Sequence, residues 1–154
     1  MSLAFDIIIY IISIYSLYGH NALRFNHIFF ILCYNYRIIK KGRFLSITET
    51  IKSLLEERIL VIDGAMGTQI QDLKVPAEAW IDDKGVDQEG CNELLNHTAP
   101  ELIERIHKRY AMAGADLLKT NTFGTMPWVL DEYQMGERAY ELSKKGAQLV
   151  KEVC

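Results

Sequence analysis

The chain has 154 residues, 49% of them apolar and 24% charged, with a formal net charge of -3. That is enough for one domain, hardly two, and too apolar for a disordered chain, and its charge balance offers no footing for a nucleic acid. Three cysteines, Cys33, Cys91 and Cys154, are odd in number and far apart, which suits neither a disulfide framework nor a paired-cysteine zinc site and makes a reducing, cytoplasmic setting the expectation.

The averages conceal a composition break near Gly42. Residues 1–43 carry 5 basic and 1 acidic side chains, whereas residues 44–154 carry 12 and 19. In the first part, Leu3 to Tyr18 is apolar apart from Asp6 and two serines, and Ile28 to Tyr34 forms a second apolar run. Neither run reaches the ~18–20 uninterrupted apolar residues that span a bilayer. A basic leader region and a small-residue cleavage site are both missing, so the stretch does not read as a signal peptide. Three readings stay open. Residues 1–36 would make a membrane contact, flanked by Arg37, Lys40, Lys41 and Arg43. Alternatively they form an extension packed on something else. Or they are translated from upstream of the true start, which the monotony in Ile, Tyr, Asn and Phe favours. The expected organisation is an apolar extension over 1–43 and a domain over 44–154.

The second part alternates helix and strand. Ser46-Ile-Thr-Glu49 reads as a capping box, in which the serine oxygen accepts an amide at the helix start and the glutamate reaches back. Ile47, Ile51, Leu54 and Leu55 follow at helical spacing. Ile59-Leu-Val-Ile62 is a short continuous β-prone run of the kind buried on both faces in a parallel sheet. It ends in the turn Asp63-Gly-Ala-Met-Gly67. Residues Gln71 to Asn96 lack periodicity and read as a long loop holding five acids between Glu78 and Glu89. Thr98-Ala-Pro-Glu101 reads as a second capping box. Leu102, Ile103, Ile106, Tyr110 and Ala113 then make one apolar stripe, and His107 is expected off it, exposed or at the boundary. Gly114 is a natural helix stop. Ala115 to Phe123 is the next strand and its exit. Ala139, Leu142, Gly146, Leu149 and Val150 mark a last helix. The order predicts parallel strands joined by right-handed crossovers.

The notable polar residues, Asp63 and Thr120 to Thr122, fall at the C-terminal ends of the two strands, where α/β barrels gather functional groups. A carboxylate at Asp63 would hold a ligand ammonium, and the amides of the glycine turn would hold a carboxylate or phosphate. Together they suit an amino acid. The competing reading is that Asp63 caps the turn or the short helix after it. Thr120-Asn-Thr122 would orient a polar substrate, or else satisfy loop backbone. Trp128 and Tyr133 would wall a pocket or fill core. His97 and His107 have no second nitrogen or sulfur ligand at metal spacing, and Cys91 reads as a small buried residue.

Three segments then resemble a known family as a set. Arg58 to Thr68, Gly90 to Asn96 and Ala113 to Phe123 are similar, in order and spacing, to the opening of the homocysteine S-methyltransferase family, in particular the homocysteine-binding module of its cobalamin-dependent methionine synthase branch. The likeness covers roughly Ser46 to Cys154. It implies the first two βα units of a (β/α)8 TIM barrel. It implies homocysteine as substrate and methyl transfer to its thiolate, giving methionine. It also implies zinc held by three cysteines on late strands, and methylcobalamin as donor in that branch. Asp63 matches the aspartate that helps hold the amino acid moiety, Gly64, Ala65 and Met66 the turn whose amides face that ligand, and Thr120 and Asn121 the second-strand wall.

Cys33, Cys91 and Cys154 do not match the family's zinc ligands, so no metal or catalytic residue is assigned in this chain. Such a barrel takes about 250 residues or more, which makes an incomplete barrel, inactive alone and of marginal stability, the expectation. Its remainder would be missing or encoded separately. The alternative is a non-catalytic, membrane-attached or degenerate fragment.

Overall fold

The computed structural model describes residues 30–32, 39–40, 43–44 and 47–154. The composition break at Gly42, the Ser46 cap and nearly all of the apolar extension lie outside the described residues. Short strands β1 (Phe30–Leu32), β2 (Ile39–Lys40) and β3 (Arg43–Phe44) come first, then helices α1 (Ile47–Glu57), α2 (Met66–Asp72), α3 (Leu95–Thr98) and α4 (Pro100–Met112). Strand β4 (Leu117–Lys119), helix α5 (Pro127–Leu130) and helix α6 (Ala139–Val153) complete the order. The class is α/β and rich in helix. Among the described residues, no helix is long and apolar enough to cross a membrane.

The expected parallel pairing is present but brief. Residues 61–63 run beside β4, with a single parallel bridge between Ile62 and Leu117. The Asp116 amide donates to the Val61 carbonyl at 2.8 Å, and the Asp63 amide donates to the Leu117 carbonyl at 2.9 Å. Burial on both faces is not what the structure shows. Ile59 is 86% exposed, and Val61 and Ile62 are about half exposed, because nothing among the described residues covers them. On its other edge β4 pairs antiparallel with β1, Ile31 opposite Leu118, so the sheet is mixed rather than all parallel.

One ion pair sets the register of the two strands. Both guanidinium nitrogens of Arg58 donate to the Asp116 carboxylate, at 2.7 and 2.5 Å. Oδ2 of the same carboxylate accepts the Val61 amide at 2.9 Å. The Arg58 hydrogen bonds lead in holding the Asp116 carboxyl below its ordinary range. Pinned at their N-terminal ends, the strands carry Asp63 to the height of Lys119.

The core joins the helices beside this pair. Ile70 of α2, Leu95 of α3, Ile103 and Ile106 of α4 and Leu149 of α6 form one buried cluster with Ala99. Leu118 of β4 and Val150 of α6 form another. The α6 stripe is as its spacing predicts, with Leu142, Gly146, Leu149 and Val150 buried. Gly114 is the stop it promised to be. Its φ is +97°, its amide donates to Ala111 and the Ala115 amide donates to Tyr110. These two bonds are the Schellman closure, and they turn the chain from α4 straight into β4.

Several expectations need correction. Helix α1 buries Thr50, Ser53 and Leu54 while Leu55 is 57% exposed, so its inward face is more polar than the apolar spacing implied. The α4 cap is Ala99, with no side-chain cap. The Thr98 hydroxyl donates instead to the Ala79 carbonyl at 2.7 Å, a tertiary partner that outcompetes the local one. His107 is fully buried among the residues facing the core. It lies four residues after Ile103 and three before Tyr110, so helical geometry puts it on that stripe.

The stretch read as a loop is locally folded. It holds 3-10 turns at Ala77–Trp80 and Asn92–Leu94 and an antiparallel bridge from Ile81 to Asp87. Asp82 organises its tip. Oδ1 accepts the amides of Lys84 and Val86, and Oδ2 accepts the Gln88 side chain. Cys91, Leu94 and Leu95 at its end are core.

Candidate functional site

Asp63 ends the extended segment 61–63 beside β4, with its carboxylate 2% exposed. Oδ2 accepts the backbone amide of Lys119 at 3.1 Å. Oδ1 is buried and accepts no hydrogen bond among the described residues. The Lys119 ammonium stands 3.8 Å from Oδ1, close enough for attraction and too far for a hydrogen bond. Burial pushes the Asp63 carboxyl up to about 6, and the Lys119 amide and ammonium work against that rise. A buried carboxylate with one oxygen fixed and one unsatisfied is a socket for a cationic donor. Helix α2 is not capped by Asp63, since its N-cap is Ala65 with no side-chain bond.

The turn after Asp63 is shaped by Tyr110. A Cβ on Gly64 would lie 2.8 Å from the Tyr110 hydroxyl and 3.0 Å from its ring. That hydroxyl donates to the Ala65 carbonyl at 3.1 Å. Glycine at 64 lets the turn lie flat on the α4 tyrosine, which holds Gly64, Ala65 and Met66 beside the strand end.

The second-strand residues divide by role. Thr120, next in the chain to Lys119, is 7% exposed, and its hydroxyl shares a 2.6 Å hydrogen bond with that of Thr122. The structure thus brings Asp63 and the 119–120 strand end together. Asn121 is turned away into a buried amide pair. Its Nδ2 donates to the Asn92 carbonyl at 2.8 Å and to Asn96 Oδ1 at 3.0 Å. Asn96 Nδ2 donates back to the Asn121 carbonyl at 2.7 Å. Gly146 of α6 admits this junction, for a Cβ there would meet Thr122 Cγ2 at 2.8 Å and Asn96 Nδ2 at 2.9 Å. Thr125 and Ser143 extend the lattice, the Ser143 hydroxyl lying 2.8 Å from that of Thr125.

Trp128 is 63% exposed, and Tyr133 packs on the cluster of Cys91, Leu94, Leu130, Met135 and Leu142. His97 sits on the surface between Asp83 and Glu141, 3.4 Å from each. Sequence reasoning missed Lys119, Tyr110 and Asn96. Asn96 did close one of the quoted segments, but only the strand register reveals the partner of Lys119.

A zinc ion does not fit what is here. Among the described residues no group of three His, Cys, Asp or Glu side chains stands ready for a metal. Cys91 is buried, and that burial pushes its thiol up, away from the thiolate a metal needs.

The Asp63 carboxylate and the Lys119–Thr120 end of β4 thus stand side by side in an α/β arrangement. The profile of the homocysteine S-methyltransferase family matches residues 60–154, and the chain belongs to that family. It is 47% identical over 101 residues to a methionine synthase of Mycobacterium leprae (strain TN), covering 65% of this chain and 8% of that protein. Against a methionine synthase of Mycobacterium tuberculosis (strain ATCC 25618 / H37Rv) it is 45% identical over 102 residues, 66% of this chain and 8% of the other. The chain thus spans about 8% of the length of these relatives.

Proposed function

We propose that the chain supplies the amino-acid-binding end of a homocysteine S-methyltransferase, with Asp63 holding the homocysteine ammonium. The observation that carries this is the buried Asp63 carboxylate, fixed through Oδ2 and unsatisfied at Oδ1, inside the segment that matches the family. An ammonium at Oδ1 makes a charge-assisted hydrogen bond in a site sheltered from water. The turn Gly64-Ala65-Met66 stands beside it for the ligand carboxylate, and Thr120 lines the strand end. Asn121 serves the wall by holding its backbone. In this reading residues 44–154 form the domain, residues 59–63 and β4 are the first two strands of a (β/α)8 barrel, and α4 and α6 are their helices. Homocysteine is the methyl acceptor and methionine the product. In this reading the described residues carry the binding step.

Calorimetric titration of the 154-residue chain with L-homocysteine tests the reading. Asp63→Asn keeps one side-chain oxygen to accept the Lys119 amide but loses the charge, and should weaken binding by about tenfold or more. Equal affinity in the two proteins would refute it.

A further inference from the structure

We propose that Lys119 is a resident counter-ion of Asp63 that the incoming ligand ammonium displaces, so that Lys119 sets both the affinity of the site and the pH at which it opens. The inference rests on the reading of Asp63 given above and adds to it a residue that reading does not use.

One residue meets both oxygens of the carboxylate. The Lys119 backbone amide holds Oδ2 at 3.1 Å, and its ammonium hovers 3.8 Å from Oδ1. The first contact is fixed by the strand pairing. The second depends on a flexible side chain that is 34% exposed, against 2% for the carboxylate. The ammonium therefore sits at the mouth of the socket with water on one side, and it can swing outward at little cost in hydration. It has not closed to hydrogen-bonding distance, and Oδ1 accepts no other donor among the described residues. A ligand ammonium held from its other end can approach Oδ1 to about 2.8 Å, the ordinary length of such a bond. Two ammonium groups beside that oxygen repel each other, so entry of one favours departure of the other.

Two opposite effects follow from removing the lysine charge. At alkaline pH Asp63 is ionised whether or not Lys119 is present, and loss of the competitor should tighten binding by up to about fivefold, the range of a partly exposed ion pair. In acid the same loss should weaken binding. Lys119 helps to hold the Asp63 carboxyl down, so without it the carboxylate protonates at a higher pH and the affinity falls away sooner.

The test is calorimetric titration of the full chain with L-homocysteine from pH 5.5 to 8.5, for the unchanged protein, Lys119→Met, Lys119→Arg and Asp63→Asn. Lys119→Met should bind more tightly at pH 8 and lose affinity at a higher pH than the unchanged protein. Lys119→Arg should keep the original pH profile. A structural role for the lysine alone would weaken binding at every pH and leave the profile where it was. If Lys119→Met misfolds by circular dichroism, Lys119→Gln replaces it. Weaker or equal binding at pH 8, or an unmoved acid limb, while Asp63→Asn still loses affinity, overturns the role of Lys119 and leaves the site standing. No binding by the unchanged chain, or undiminished binding by Asp63→Asn, overturns the reading of the site and this proposal with it.

Discussion

Asp63 and His107 should pull stability in opposite directions across the same range of pH. Burial lifts the Asp63 carboxyl from an ordinary 3.8 to about 6. A folded value above the unfolded one means that the folded chain binds more protons, so the contribution is complete below pH 4 and is lost as pH rises to 6. Two units correspond to about 3 kcal/mol. His107 is the mirror case. Burial lowers its ring from 6.5 to about 4, with Glu104 acting weakly the other way. Its contribution is complete above pH 6.5 and is lost as pH falls to 4, again about 3 kcal/mol. In the unchanged protein the two slopes nearly cancel between pH 4 and 6. Asp63→Asn should therefore uncover a rise of about 3 kcal/mol from pH 4 to 6.5. His107→Leu should uncover a fall of about 3 kcal/mol from pH 4 to 6. Urea unfolding, followed by fluorescence at half-unit steps of pH, measures both. Asp82, Asp116 and Glu141 are all held below their ordinary values, so each adds stability that is lost in acid. That loss is common to the three proteins and drops out of the differences. Parallel stability curves for all three would refute the reasoning.

His107→Leu should also raise stability near pH 7 by about 1 kcal/mol, because both ring nitrogens are buried without partners among the described residues. Thermal unfolding at that pH reads it directly. Gly146→Ala should destabilise by about 1–3 kcal/mol, against the ordinary helical preference for alanine, since its Cβ would press on Thr122 and Asn96. Its denaturation midpoint should fall below that of the parent. Asn96→Ala leaves two buried donors on Asn121 Nδ2 with one partner in place of two. It should cost about 2 kcal/mol in the same assay. Asp116→Ala removes the bidentate partner of Arg58 and the acceptor of the Val61 amide. A loss of about 2 kcal/mol is expected, with faster hydrogen exchange at Val61 and Leu117 as the local sign.

How far these features could be read in advance depended on how local their causes are. The α6 stripe and the Gly114 stop were legible because spacing and a positive φ are properties of the chain itself. The Asp63 turn was legible because strand-end carboxylates and glycines occur together in a short segment. Thr98 misled because its hydroxyl finds Ala79, a partner 19 residues away. His107 misled because its polarity outweighed a position that the helix places on the buried face. The roles of Lys119 and of the Asn96–Asn121 pair exist only once strands and helices are in register. Exposure of Val61 and Ile62 was likewise hidden, since a β-prone run says how a segment pairs and not what covers it.

The central claim is that the C-terminal ends of segment 61–63 and of β4 bind the amino acid moiety of homocysteine. An amide-resolved NMR titration of the 154-residue chain with L-homocysteine at pH 7.5 tests it most directly. The account predicts saturable shifts at Gly64, Ala65, Met66, Lys119 and Thr120, and none in the Asp82 loop tip. Saturable shifts elsewhere, or no shifts at these five amides, would contradict it.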